Sequence, residues 1–231
     1  KWGMPSVRGG WSSLFGYRRE VFKFLAYNDL NALLGMVPKQ LDIVLLGYFR
    51  NPTEVGYYKL ARSLAGVAGY LAQPLQSVTY PRLAALIGEH RQSEFWRTLR
   101  RVALGIGLPL SAFCLLGIPL APIVVRQLIG SSYVSSILGT QILMVGFAGW
   151  VAFFWLRPAY MALGEIRAWV HQNAVYAIIL LVGMGISIPK WGYLGLALSL
   201  TMGHLLFYLF AARGLVRISR AANANTGPVT K

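Results

Sequence analysis

The chain is short of charge, shorter still of acid, and almost without cysteine. Only 13% of its 231 residues are Asp, Glu, Lys or Arg, against about 25% in an ordinary soluble domain. A surface with so few charges excludes the common water-soluble class. Acids number 7 against 22 Lys and Arg, a formal net charge of +15. Such an excess also marks nucleic-acid binders, but here most cations flank apolar runs, where topology and anionic lipid place them. No nucleic-acid partner is expected. Cys114, the single cysteine, lies in an apolar run, which rules out an intramolecular disulfide and a thiolate metal cluster. Marks of chemistry are equally scarce. His90, His171 and His204 fall in three separate segments without metal-ligand spacing, and the latter two read as helix-packing donors. No Gly-rich phosphate loop follows a strand, and no carboxylate pair accompanies a Ser or Cys in a motif. The expectation is a non-enzyme with no catalytic residue, metal or cofactor. Residues 1–20 are basic and Gly/Ser-rich and hold no apolar signal core. The start at Lys1 rather than Met raises the expectation of a piece of a longer protein.

What is present is apolar. Hydrophobic residues make up 56% and mean hydropathy is +0.53, with runs of the roughly 20 residues that a spanning helix needs. They predict an all-α integral membrane protein, a bundle of six transmembrane helices over residues 24–49, 55–86, 102–121, 134–155, 168–188 and 193–212. The lobe (21–217) stands between a basic linker (1–20) and a polar, disordered tail (218–231). The runs are too long for membrane strands. The first two exceed one span and must tilt or bend, with Pro38, Pro74 and Pro81 as the expected bends. Residues 50–54 read as a tight turn, 87–101 as an amphipathic stretch for the headgroup layer, and 122–133 as a short half-apolar helix ending at Gly130. Cations crowd the N-terminal segment, the loop after the second run and the tail, whereas Arg50, Arg126 and Lys190 lie on the opposite side. That bias puts both termini in the cytoplasm, in the inner membrane.

Polar residues inside the runs mark the candidate site. Lys59, Arg62, Gly66, Gly69, Gln73, Gln76 and Tyr80 recur at alternating spacings of three and four, one face of one helix. A lipid-facing helix would not spend that face on glutamines; one lining a cavity, or packed on a neighbour, would. The alternative is snorkelling of Lys59 and Arg62 to the interface. On the first run Asn31, Gly35, Pro38 and Asp42 share a face, and Lys39 stands three residues from Asp42, close enough for an ion pair. Asp29 adds a second acid. Such a pair either serves a site or simply holds the bundle together.

The stretches "DIVLLGYFRNPTEVGYYKLARSL" (42–64), "PLQSVTYPRLAAL" (74–86) and "APIVVRQLIGSSY" (121–133) together resemble the polysaccharide and O-antigen flippases. These belong to the MOP superfamily, which also holds the MATE drug exporters and the lipid II flippases. The resemblance implies two pseudo-symmetric lobes around a central cavity, of which this chain is the C-terminal lobe, with residues 1–20 as the inter-lobe linker. It implies a lipid-linked oligosaccharide substrate, moved by alternating access. Partners would be membrane lipid, the missing N-terminal lobe, and polysaccharide polymerase or glycosyltransferase machinery. Lys59, Arg62 and Lys39 would then meet the diphosphate, and Gln73, Gln76, Tyr80 and Asn31 the sugar hydroxyls. Asp42 and Asp29 would balance charge or bind a coupling cation. The competing readings are a MATE-like drug or cation antiporter lobe, a membrane-embedded enzyme of lipid-linked glycan synthesis, and a scaffold for that machinery.

Overall fold

A computed structural model describes Leu30, Leu33, Gly35 and residues 40–225, with side chains as far as 218. Every regular element among them is helical. In chain order they are α1 (Asp42–Phe49), α2 (Pro52–Ala65), α3 (Val67–Gly88), α4 (Gln92–Val102), α5 (Leu108–Val124), α6 (Ser136–Ala152), α7 (Leu156–Ala162) and α8 (Ile166–Asn225). Three helical stretches are long and apolar enough to cross a membrane: Gln92–Ile129, Ser136–Ala162 and Ile166–Ile218.

Several boundaries differ from the sequence reading, each for a local reason. The run at 55–86 is broken at Gly66, which separates α2 from α3. Pro74 and Pro81 are carried inside α3, so the interruption falls at the glycine rather than at a proline. Conversely, the pieces expected at 87–101, 102–121 and 122–133 form one stretch. α4 passes through a π-helical turn (Ala103–Gly107) into α5, which ends in another (Val125–Ile129). One side of α4 still packs inward through Phe95 and Leu99 while Arg97 and Arg100 stay exposed. Gly130 ends the stretch as expected, at φ 118°, where a side chain would be strained. The expected tail at 218–231 is helical through Asn225.

α8 is a hairpin rather than a rod. At Gly192 the backbone takes φ 58° and ψ −142°, a conformation open in practice to glycine alone. The arms 166–191 and 193–225 then lie side by side. Ser187 Oγ is 2.8 Å from Ser199 Oγ, and the Tyr176 and Phe207 rings are 4.9 Å apart. The fold-back is held by the α1–α2 turn. Arg50 donates to the carbonyl oxygens of Ile188 (3.1 Å) and Pro189 (2.8 Å), which close the first arm. Glu54 accepts from the Tyr193 amide (3.0 Å), the first donor of the second arm. A cation thus sits at a helix C-terminus and an anion at a helix N-terminus, the signs the two helix dipoles favour. Asn51 starts α2 by accepting from the Glu54 amide (2.9 Å), with Pro52 in the first turn, an ordinary N-cap. The same end gathers Tyr57 against Tyr133 and Tyr193, and the Tyr193 hydroxyl donates to the Ser135 carbonyl.

α6 occupies the middle, packed against α2, α5 and α8, while α3 packs on α7 and α1 on α8. Small residues permit the close approach. A Cβ at Gly146 would stand 2.8 Å from Thr201 Cα. The core joins Leu46, Tyr58 and Ala61 to Leu143, Tyr160, Met184 and Leu196. Outward, α5 exposes Leu108, Phe113, Leu116 and Leu120, the face of a helix bathed in lipid rather than water.

Candidate functional site

The α2–α3 stripe turns toward a cavity of about 990 Å³. Lys59, Arg62, Gly66, Gly69, Gln73 and Gln76 all line it, so the spacing of three and four survives the break at Gly66. Opposite them stand Phe147, Trp150 and Phe153 of the α6 region and Trp169, Tyr176, His204, Phe207 and Tyr208 of α8. One wall is therefore cationic and amide-bearing, the other aromatic. Trp150 reaches into the gap left by Gly69, where any side chain would collide with the indole.

Arg62 is anchored from below. Asp42 is fully buried at the head of α1 and forms an ion pair with Arg62. It also accepts the Tyr58 hydroxyl at 2.6 Å and the Ile43 amide at 2.8 Å. The local sequence explains the cluster: Tyr58 and Arg62 are one turn apart on α2 and reach the same carboxylate. A buried carboxylate needs such partners, because unpaired it would be strongly penalised by desolvation. A guanidinium carries five donors in a fork, and Arg62 both pairs with Asp42 and lines the cavity. Lys59, exposed and one turn nearer the α1–α2 turn, supplies a compact point charge to the same space. Arg157, at the start of α7, adds a third cation to the lining.

The placements differ from the expected site list at several residues. Lys59, Arg62, Gln73 and Gln76 are brought together as lining residues. Tyr80 is not among them: it lies one turn beyond Gln76, exposed and outside the lining. The stripe outruns the cavity by one turn. Asp42 takes Arg62 and Tyr58 as partners; Lys39, its expected partner, lies outside the described residues, as do Asn31 and Asp29. Gly35 lines the cavity. Sequence reasoning missed Tyr58, Arg157 and the aromatic wall. Tyr58 was findable from its spacing of four to Arg62. Arg157 lies in the connection expected between the runs at 134–155 and 168–188, and the packing of α7 on α3 brings it to the cavity. Among the described residues no group of three or more His, Cys, Asp or Glu is placed to hold a metal ion.

Arg91, just before the stretch that begins at Gln92, donates to Glu89 (2.9 Å) and Glu94 (2.6 Å) across the α3–α4 turn. The hydrogen bonds to these two carboxylates push its already high pKa further up. With its side chains about half exposed, that cluster fixes a turn rather than a site.

No curated protein matches the chain. A family model described as "polysaccharide biosynthesis protein" matches residues 1–138. The matched segment holds Asp42, Tyr58, Lys59, Arg62, Gln73 and Gln76 and ends within α6, whereas most of the aromatic wall follows it. With more than half its length under that match and helices apolar enough to cross a bilayer, the chain belongs to the polysaccharide biosynthesis protein family of membrane proteins.

Proposed function

We propose that the chain is the C-terminal, six-helix lobe of a flippase carrying lipid-pyrophosphate-linked oligosaccharide from the cytoplasmic to the outer leaflet by alternating access. On this reading it sits in the inner membrane with both termini cytoplasmic. It pairs there with an N-terminal lobe and works alongside polysaccharide polymerase or glycosyltransferase machinery. One observation carries the proposal: Lys59, Arg62 and Arg157 line a single cavity alongside Gln73 and Gln76. A diphosphate cannot cross a low-dielectric slab unpaired, and cations on a polar wall are the countercharge it requires. Arg62 gives directional oxyanion contact and Lys59 a mobile charge, while the glutamines offer hydrogen bonds to hydroxyls. The same basic lining argues against export of organic cations, which would call for acids facing the space.

The test uses surface polysaccharide in cells carrying each variant, with membrane abundance measured alongside. A hydrogen bond to a charged group contributes about 1.5–3 kcal/mol. Lys59→Ala should therefore cut export by roughly tenfold or more, at unchanged abundance. Lys59→Glu should be worse than Ala, through repulsion of the same anion. Arg62→Lys should keep part of the activity, because charge remains while the fork is lost. Normal export by Lys59→Glu combined with Arg157→Ala would sink the anion role and leave packing as the better account.

A further inference from the structure

α4 carries three cations that the fold leaves without a counterion. Arg97, Arg100 and Arg101 are exposed and make no ion pair or side-chain hydrogen bond among the described residues. Arg100 and Arg101 stand three and four residues beyond Arg97, the register in which side chains are neighbours and like charges repel. The ordinary local reason for such a cluster fails here. Arg100 and Arg101 occupy the last turn of α4, where cations usually meet a helix C-terminus, but this helix runs on through the π turn into α5. Nor do the acids of the described residues answer them. Asp42 is held by Arg62 and Tyr58, Glu54 by Arg50 and the Tyr193 amide, and Glu89 and Glu94 by Arg91. Glu165 forms no ion pair with α4. Residues 1–29 set Lys1, Arg8, Arg18, Arg19 and Lys23 against Glu20 and Asp29, a net excess of the same sign. The countercharge has to come from outside the chain.

The setting restricts its source. Phe95 and Leu99 are buried in the core, and Trp96 meets Phe95 edge-on with rings 5.0 Å apart. That packing fixes one side of α4 and leaves the arginines projecting from the other. Immediately beyond them the surface turns apolar, with Leu104, Leu108 and Phe113 exposed. All belong to Gln92–Ile129, a helical stretch apolar enough to cross a bilayer. Cations followed along one helix by exposed apolar side chains match the passage from headgroup to acyl chain. An anionic phospholipid answers both parts. Its phosphate accepts paired N–H bonds from a guanidinium fork, and its chains cover the leucines below. No residue of α4 lines the cavity, so this surface is separate from the candidate cargo site.

We propose that Arg97, Arg100 and Arg101 form a binding site for the headgroup of an anionic phospholipid on the outer surface of α4. The site rests on the membrane placement of Gln92–Ile129 and not on the flippase reading, so either can fail without the other.

The experiment measures lipid binding to the full chain, purified in detergent, by native mass spectrometry. The probes are palmitoyl-oleoyl phosphatidylglycerol and palmitoyl-oleoyl phosphatidylcholine. Each basic residue near an anionic lipid surface contributes roughly fivefold in affinity. The wild type should therefore prefer phosphatidylglycerol by on the order of a hundredfold. Changing all three residues, as Arg97→Gln, Arg100→Gln and Arg101→Gln, should remove most of that preference without lowering the melting temperature, because the side chains are exposed. Arg213→Gln with Arg217→Gln removes two exposed cations spaced four apart on α8 and should leave the preference standing. Arginines that serve only as a topology signal would give no preference in the purified protein. Equal binding of the two lipids by the wild type would thus overturn the site, leaving insertion or an acidic protein surface to explain the cluster. A preference that survives the triple change would overturn it too. So would a preference lost as fully in the α8 variant, since attraction would then be spread over the basic residues at large.

Discussion

Asp42 is the residue on which two roles meet. It is wholly buried, and its carboxylate is occupied by Tyr58, Arg62 and the Ile43 amide. Breaking a buried ion pair from one side costs about 3–5 kcal/mol, whereas removing both partners costs far less. Asp42→Ala should therefore unfold the lobe at markedly lower temperature, and Asp42→Ala with Arg62→Leu should recover much of the loss. Thermal unfolding in detergent reads both. A double variant no more stable than Asp42→Ala alone would show that the pair is not coupled as described. Tyr58→Phe should cost about 1–3 kcal/mol, the range for one lost buried hydrogen bond. The sequence exposed half of this cluster. Asp42 stood out as an acid in an apolar run, and Arg62 as a cation on a polar stripe. Joining them required the turn at 50–51 to bring α1 back against α2, a tertiary fact that helical spacing does not contain.

At the scale of elements, the fold-back at Gly192 makes the sharpest demand. A Cβ there would run into the Glu54 carboxylate and would force a backbone region closed to other residues, a strain of about 1–3 kcal/mol. The flanking charges are matched to helix polarity rather than merely to each other, and this is testable. Exchanging them, as Arg50→Glu with Glu54→Arg, preserves the possibility of an ion pair but puts an acid at a helix C-terminus and a cation at an N-terminus. Each reversed dipole contact is worth about 0.3–1 kcal/mol, and the lost cap bonds add to it. The exchange should therefore be no better than Arg50→Ala or Glu54→Ala in a melting experiment. Full recovery would mean that simple pairing, 3.8 Å in this structure, is what matters. Hydropathy located the two arms near 168–188 and 193–212 because the intervening Pro-Lys-Trp-Gly is locally polar. It could not find the Gly66 break, since a glycine inside an apolar helix is as often a packing position as an interruption. Nor could it join α4 to α5. Composition changes sharply at Arg101, yet the backbone continues as helix through a π turn, and helices are ended by caps rather than by changes in polarity.

Seen whole, the molecule has one end where three connections meet. The turn at Arg50–Asn51, the segment from Gly130 to Ser135 and the fold-back at Gly192 are tied through Glu54, Tyr57 and Tyr193. If that end faces the cell exterior, single cysteines at positions 52 and 131, in a background lacking Cys114, should react with a membrane-impermeant reagent from outside. A cysteine at position 93 should react only from the cytoplasm. Labelling of 52 and 93 from the same side would refute the proposed topology. The cavity itself runs along the bundle rather than sitting at a point. Lys59 lies about two turns from the tied end, whereas Arg157 follows the whole of α6, roughly 20 Å farther at 1.5 Å per residue. Between them the lining carries amides and aromatic rings. For the proposed anionic cargo, cations spaced in this way would offer two weaker stations instead of one deep well. A single deep well would hold a pyrophosphate too firmly to release, while two weak stations let one countercharge hand it to the next. Under the proposed function, the spacing of these cations would make the cavity a relay with a modest grip at either station.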